Sequence, residues 1–259
     1  MASFAVKGVR IGEGRPKTVV SLMGATTDEL VNQATRAVGA GADCVEWRAD
    51  FARNVGDPQA MALAARELSA VLVATPLLFT FRSKEQGGQL PLEPLAYEKL
   101  NRAVLETGAI DLVDVELGAG QDVVRALVEA AHGCGARAVA SHHDFGGTPT
   151  MAAMTQLLEQ MAGLGADVAK LAVFAHDVRD CLRLMDATEQ ARQQLDVVLL
   201  TIAMGRAGAL SRLCGQAVGS ALTFCSLGTP SAPGQVSLAQ ATRVLDELDA
   251  VLAANDHSA

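Results

Sequence analysis

One lysine, Lys170, stands in the middle of the apolar stretch GADVAKLAVFA, which runs from residue 165 to 175. The stretch predicts a buried strand, and an ammonium ion enters an apolar interior only at a high free-energy cost. A buried salt bridge to Asp114 or Glu116 is one explanation. Chemistry is the other, because a desolvated lysine close to arginines loses its proton more easily. The free amine then attacks carbonyl carbons and forms a Schiff base, which acts as an electron sink.

Two adjacent histidines, His142 and His143, end another apolar run, RAVASHHDF at 137–145. Imidazole moves protons near neutral pH, so a histidine is the natural partner of an imine-forming lysine. Successive side chains of a strand point to opposite faces, so at most one of the two faces a common site. We favour His143, and the other histidine would then have a packing or capping role.

Further polar side chains lie toward the C-terminal ends of the predicted strands. They are Glu46, Arg48, Asp50, Arg82, Asp114, Glu116, Arg206 and Arg212. A single charge at a strand end is most often solvated or ion-paired. Their recurrence at matching ends instead predicts a polar pocket. The chain has no zinc-ligand spacing, no phosphate-binding loop and no GxSxG motif, so we expect neither a metal nor a nucleotide cofactor.

Short apolar runs alternate with amphipathic helical patterns along the whole chain. The runs are 18–23, 43–50, 77–83, 111–117, 137–145, 167–174, 197–204 and 220–228. This alternation predicts parallel strands joined by right-handed helical crossovers. Eight such units predict one (β/α)8 TIM-barrel domain over residues 1–259, with its active site at the C-terminal strand ends. A doubly wound open sheet is the alternative, but no GxGxxG follows the first strand.

The N-terminal residues FAVKGVRI predict an extra strand or hairpin that closes the bottom of the barrel. Two helices are predicted to begin with capping boxes, Thr26 with Glu29 and Ser237 with Gln240. The segment GALSRLCGQAV after the seventh strand is predicted to be helical.

The composition is that of a compact protein, with 50% hydrophobic and 19% charged residues. The formal net charge of −8 argues against a nucleic-acid partner but not against a basic pocket for a small anion. Five cysteines, none in a CxxC motif, suit a reducing compartment. No signal-peptide core and no membrane-spanning run is found, so we expect a cytoplasmic protein with no membrane partner.

Several motifs, in this order along nearly the whole chain, resemble those of type I 3-dehydroquinate dehydratases. They are VEWRAD, LLFTFRS followed by Gly87-Gly88, SHHDF, GADVAKLAV, MGRAGALSR and SAPGQ. The resemblance implies a (β/α)8 barrel and a lyase that needs no cofactor. It would convert the carboxylate substrate 3-dehydroquinate to 3-dehydroshikimate in the shikimate pathway of aromatic amino-acid biosynthesis. Family members are commonly dimers, which implies a homodimer here.

The resemblance also implies roles for individual residues. Lys170 would form the Schiff base, and His143 would be the general acid/base. The substrate-binding residues would be Glu46, Arg48 and Arg82 at the ring hydroxyls, Arg212 at the carboxylate, Met204 and Phe224 on the apolar wall, Ser231 and Gln235 on a lid, and Ser21 at the end of the first strand.

The chain departs from the family pattern at two positions. Relatives of the enteric enzymes place a glutamate directly before the Gly-Gly pair, where this chain has Gln86, preceded by Glu85. Either residue could orient the catalytic histidine. Many members have Tyr or Phe at the position of His142, so the choice of His143 depends on the register of its strand.

Two other functions stay open from the residues themselves. A Schiff-base aldolase acting on sugar phosphates would also place a lysine on the sixth strand, but it would need a phosphate site after the last strands. A non-catalytic barrel that binds a carboxylate would keep the arginines without needing Lys170. A requirement for a phosphate group on the substrate would distinguish the aldolase from the dehydratase. Borohydride trapping of an imine would distinguish both enzymes from the non-catalytic barrel.

Overall fold

The computed structural model describes residues 2–91 and 93–255, and a parallel barrel follows an N-terminal hairpin. The hairpin pairs β1 (Phe4–Val6) with β2 (Val9–Ile11) in antiparallel fashion. The barrel strands are β3 (Lys17–Leu22), β4 (Cys44–Arg48), β5 (Leu77–Thr80), β6 (Leu112–Glu116), β7 (Arg137–Asp144), β8 (Val168–Phe174), β9 (Val198–Met204) and β10 (Leu222–Cys225).

The eight strands follow the order β10-β3-β4-β5-β6-β7-β8-β9, and every pair is parallel. The last gap, between β9 and β10, is closed by a bridge between Leu199 and Ser220. The amide of Ala221 donates to the carbonyl oxygen of Leu199 across it, at 2.8 Å. The predicted TIM barrel is therefore confirmed, and the open doubly wound sheet is wrong.

Helices surround the barrel and alternate with its strands. They are α1 (Thr27–Gly39), α2 (Pro58–Val71), α3 (Pro94–Leu105), α4 (Gln121–Gly133), α5 (Met151–Gly163), α6 (Val178–Gln194), α7 (Ala209–Leu213) and α8 (Leu238–Asn255). The predicted capping box of α1 is present, because the amide of Glu29 donates to Thr26 and its carboxylate accepts from the Thr26 amide. Gly41 precedes β4 with a φ of +82°, a conformation that glycine adopts without strain.

The single helix predicted after β9 is wrong in its extent. The five-residue α7 lies between a 3-10 turn at 206–208 and another at 215–218. A Cβ at Gly208 would overlap the carbonyl of Ala203, and Gly219 takes a φ of +91°. The chain here packs too closely against β9 for a regular helix, and this brings Arg212 over the barrel.

The third strand of the barrel, β5, also ends earlier than predicted, at Thr80 rather than at residue 83. Beyond it, the amide of Arg82 donates to Asp50 at 3.4 Å and that of Ser83 to Glu116 at 2.9 Å. Carboxylates thus take the place of the strand partners, and the backbone turns inward at the C-terminal end of the barrel.

The barrel interior is apolar at its N-terminal end. It is filled by Ile11, Val19, Cys44, Leu78, Leu112, Val139, Val168, Val198 and Leu222. Ile11 belongs to the hairpin and is fully buried, so the predicted closure of the barrel bottom is confirmed. Larger apolar layers lie between the strands and the helices. Within residues 2–91 and 93–255, no helix has the length and apolar character needed to cross a membrane.

Candidate active site

Lys170 lies on the inner face of β8 and is only 3% exposed. Its Nζ atom is 2.8 Å from Asp114 Oδ2 and 3.7 Å from Glu46 Oε1. It also lies 4.6 Å from the centroid of the Phe224 ring. The salt-bridge explanation of this lysine is therefore correct for Asp114. The same contacts fix the amine in one place, at the wall of a cavity.

Asp114 joins Lys170 to a second buried cation, Arg82. The Arg82 guanidinium donates to Asp114 at 2.8 Å, to Glu116 at 2.6 Å and to Ser141 at 3.0 Å. The hydroxyl of Ser141 donates to the other oxygen of Asp114 at 2.5 Å. Burial alone would raise the pKa of Asp114, but the charges of Arg82 and Lys170 and their hydrogen bonds lower it to about 2. The carboxylate is ionised at neutral pH.

Glu46 and Arg48 lie next to one another on the inner face of β4. Glu46 accepts hydrogen bonds from Ser21 at 2.7 Å and from Thr80 at 2.9 Å. Arg48 forms two parallel hydrogen bonds of 2.8 Å with Asp50. Such paired geometry fixes the guanidinium plane. Asp50 therefore fixes the position of the Arg48 side chain in the site.

His143 shares the inner face of β7 with Ser141, so His142 points to the opposite face. The register predicted for this strand is thus confirmed. The amide oxygen of Gln86 lies 2.9 Å from the His143 backbone nitrogen and 3.1 Å from its ring Nδ1. Burial holds the pKa of His143 well below its usual value, with the positive charges of Arg82, Lys170 and Arg48 acting in the same direction. The ring is neutral at pH 7.

Arg212 is 1% exposed, and among the described residues it has no carboxylate partner. Its guanidinium donates to the carbonyl oxygens of Phe224 at 3.4 Å and Pro233 at 3.0 Å. Its Nε is buried without a partner. Burial lowers its pKa to about 10, so it stays charged at neutral pH. A buried cation without a counter-ion is suited to an anionic ligand.

The loop between β10 and α8 lies across the mouth of the cavity. Ser231 donates to the Ser21 hydroxyl at 3.1 Å and receives a 2.8 Å hydrogen bond from the Gln235 amide. The carbonyl oxygen of Pro233 accepts from the amide of Gly205 at 3.2 Å. The loop is therefore in a closed position, held to Ser21 of β3 and to Gly205 after β9.

These groups surround a cavity at the C-terminal end of the barrel. Ten of the residues singled out by sequence line it: Glu46, Arg48, Arg82, His143, Lys170, Met204, Arg212, Phe224, Ser231 and Gln235. Ser21 lies behind this wall and hydrogen-bonds to Glu46 and Ser231. Arg206 is exposed and does not line the cavity, because it lies in the turn that leaves β9.

Six further residues line the wall, and none of them was predicted from the sequence to bind the substrate. They are Gln86 as a lining residue, Gly87, Phe145, Ala172, Ile202 and Ala232. Alternation along β8 and β9 could have found Ala172 and Ile202, which lie two residues from Lys170 and Met204. Phe145 follows the end of β7 and is the last residue of the SHHDF motif, but no role in the cavity is predicted for it from the sequence.

Comparison with known proteins decides the family. The family model described as type I 3-dehydroquinase matches residues 18–251. The chain belongs to the type I 3-dehydroquinase family. A 3-dehydroquinate dehydratase of Syntrophotalea carbinolica is 43% identical over 249 residues, which cover 96% of this chain and 98% of that one.

Solved structures of type I 3-dehydroquinases have the same fold. The 3-dehydroquinate dehydratase of Geobacillus kaustophilus is 35% identical, with a TM-score of 0.93 and 96% of both chains covered. The type I enzyme of Clostridium difficile is 37% identical, with a TM-score of 0.93, covering 97% of this chain and 100% of that one. It is described with covalently modified comenic acid.

The reaction of a type I 3-dehydroquinase is therefore the reaction of this chain. It is a hydro-lyase that dehydrates 3-dehydroquinate to 3-dehydroshikimate through a Schiff base. The sugar-phosphate aldolase and the non-catalytic binding barrel are both wrong.

Proposed function

We propose that Lys170 forms the Schiff base of this dehydration and that His143 moves its protons. The observation that carries the assignment is the convergence of three groups on one cavity: the Lys170 amine, a neutral imidazole at His143 and the Arg212 guanidinium without a carboxylate partner. An amine, a base and an anchor for a carboxylate are what the dehydration of a carboxylated β-hydroxy ketone requires.

In the first step the Lys170 ammonium gives up one proton, and the free amine adds to the ketone carbon. The ketone oxygen then leaves as water, taking up the proton released by the ammonium and one from the amine nitrogen, and a protonated imine remains. The imine draws electrons, so the neighbouring carbon becomes acidic. His143 takes a proton from that carbon, and the electron pair forms an enamine.

Elimination then reverses the electron flow. The enamine pushes out the hydroxyl at the β carbon, which receives the proton that His143 took up. A second water hydrolyses the imine and frees the amine. One water is released in imine formation, one is consumed in hydrolysis, and the net product is one water per substrate.

The remaining residues of the cavity would bind the ring. We assign the substrate carboxylate to Arg212, whose planar fork suits two carboxylate oxygens. Glu46, Arg48 and Arg82 would bind the ring hydroxyls, with Ser21 behind Glu46. Met204 and Phe224 would form the apolar wall, and Ser231 and Gln235 would close the site from the lid.

We further propose that the protein acts in the cytoplasm, where its five free cysteines would stay reduced. A homodimer is the assembly that the family resemblance implies. Sedimentation of the purified chain at micromolar concentration tests this, and a monomer would contradict it.

Trapping of the imine tests the role of Lys170. Incubation with 3-dehydroquinate and borohydride should leave a reduced adduct on Lys170, found by peptide mapping. Lys170→Ala should lose both the adduct and nearly all turnover, whereas the exposed Lys99→Ala should keep both. Full activity without an adduct on the Lys170 peptide would overturn the assignment.

Paired histidine variants test the role of His143. His143→Ala should lower kcat by about 10²-fold or more, the usual contribution of a positioned acid/base. Imine trapping should survive in part, because Lys170 is intact. His142→Ala should have a much smaller effect, since its side chain points away from the cavity. The reverse ranking in steady-state kinetics would contradict the assignment.

A further inference from the structure

Gln86 contacts the ring of His143. Gln86 lines the cavity, and only 7% of its surface is exposed to solvent. One atom, its Oε1, lies 2.9 Å from the His143 backbone nitrogen and 3.1 Å from ring Nδ1. The preceding Glu85 is exposed. Of the two residues that could orient the histidine, only Gln86 contacts it.

These two contacts determine both the amide orientation and the histidine tautomer. A backbone N–H only donates, so the Gln86 atom that faces His143 must be the carbonyl oxygen. The same oxygen faces Nδ1, and two acceptors do not bind each other. Nδ1 must therefore carry a proton. In the neutral ring the unprotonated nitrogen is then Nε2.

The turn that carries Gln86 is held tightly. It is a 3-10 turn at 84–86 that ends in Gly87, with a φ of +88°. A Cβ at Gly88 would overlap the carbonyl of Arg82, and the Gly88 amide donates to Ser83 at 2.7 Å. Glycine at both positions lets the chain pass close enough to set the Gln86 amide against β7.

We propose that Gln86 is the positioning residue of His143: its neutral amide fixes the Nδ1–H tautomer and leaves the Nε2 lone pair free to take the substrate proton. The proposal rests on the proposed role of His143 as the base. It assigns the orienting role to an uncharged side chain, at a position where relatives of the enteric enzymes place a carboxylate.

The uncharged Gln86 amide affects the pH at which His143 becomes protonated. The charged and titratable groups that act on His143 are Arg48, Arg82, Lys170 and His142, and together with burial they lower its pKa. An amide offers no negative charge to the imidazolium, whereas a carboxylate within hydrogen-bond distance typically raises such a pKa by about 1–3 units. With Gln86 as its partner, the His143 imidazole therefore stays unprotonated to a lower pH than it would beside a carboxylate.

The Gln86→Glu variant tests this through the pH profile. The acid limb of kcat/KM reports the essential base of the free enzyme. We expect this limb to move to higher pH by about one unit or more in Gln86→Glu. Gln89→Glu is the matched control, because it places the same charge three residues away on an exposed side chain. Its acid limb should stay within a few tenths of a unit of wild type.

The tautomer itself is read by nitrogen NMR of histidine-labelled protein, with His143→Asn used to assign the signals. Wild type should show a protonated Nδ1 and an unprotonated Nε2 at neutral pH. Gln86→Leu, which removes the acceptor, should lose this preference, and its kcat should fall about tenfold to a hundredfold, part of what a positioned base contributes.

Either of two results would overturn the proposal: a protonated Nε2 in the wild type, or an acid limb that moves equally in Gln86→Glu and Gln89→Glu. Both are distinct from failure of the proposed function, which would appear as full activity in His143→Ala or as an adduct on a residue other than Lys170. Retained imine trapping in Gln86→Leu shows that the variant is folded.

Discussion

Two buried cations share one carboxylate at the centre of this site. Lys170 and Arg82 both lie 2.8 Å from Asp114 Oδ2, while Glu116 and Ser141 complete the shell. Ion pairs this deep are stable only when each charge is paired and hydrogen-bonded, because desolvation is costly. Asp114 therefore has two functions, to hold the position of the amine and to compensate charge.

Asp114→Asn should lower the free energy of unfolding by about 3 kcal/mol or more at pH 7, since it leaves buried cations without their shared charge. The wild-type pKa of about 2 lies below the ordinary value. The stabilisation is therefore fully present above about pH 4 and is lost as the pH falls toward 2. Urea unfolding from pH 7 downward should show the two proteins converging below about pH 4. The exposed Glu129→Gln is the control, and a constant difference across this range would contradict the prediction.

The loop 227–235 closes the cavity with little apolar area of its own, apart from Leu227, which packs against the core. Its hydrogen bonds to the rest of the barrel are made by Ser231 and Pro233, whereas the side chain of Gln235 donates to Ser231 within the loop. Arg212 donates to Pro233 in this loop and is also the proposed carboxylate anchor. Substrate binding and loop closure therefore involve the same guanidinium. Segments held this weakly open readily.

We predict that the loop opens when the site is empty and is ordered by a bound substrate analogue. Hydrogen exchange across 227–235 should slow on addition of the analogue, and equal protection in both states would show a fixed connector. Gly234→Ala should raise KM and abolish the slowing, because a Cβ there would overlap the Gly205 carbonyl in the closed position. Gly228→Ala is a matched control, since its φ of +108° is also positive but its Cβ would meet nothing within 4 Å.

In the whole molecule the active-site cavity and the hairpin that closes the barrel lie at opposite ends. The N-terminal end is closed by the hairpin, whose Ile11 fills the interior. Lys7 ties the hairpin to the barrel through a 2.9 Å salt bridge to Asp111 and a 2.8 Å hydrogen bond to the Leu72 carbonyl. The polar cavity lies at the opposite end, as in other barrels of this class.

Stability and turnover should therefore respond separately to changes at the closed end. Ile11→Ala should lower the free energy of unfolding by about 2–5 kcal/mol, the usual cost of a cavity in a packed core. Its kcat at 25 °C should match wild type. Arg10→Ala, on the exposed side of the same strand, should change stability by less than about 0.5 kcal/mol. A large fall in kcat for Ile11→Ala in folded protein would contradict this separation.

The barrel and most of the cavity wall follow from patterns in the amino-acid sequence alone. Periodicity and length specify eight strands and their order, because parallel crossovers leave few other arrangements. Alternation along β7 then allows only one of His142 and His143 to share the inner face with Lys170, and the family resemblance selects His143. These are local properties, encoded in residues that are neighbours along the chain.

The hydrogen-bond partners of these residues could not be read from the sequence and became visible in the folded chain. Asp114 rather than Glu116 pairs with Lys170, and Gln86 rather than Glu85 holds His143. Both choices join positions more than fifty residues apart along the chain. Sequence patterns indicate the order of the strands and the strand face on which a side chain lies. Hydrogen-bond partners instead depend on how the strands and turns pack in three dimensions.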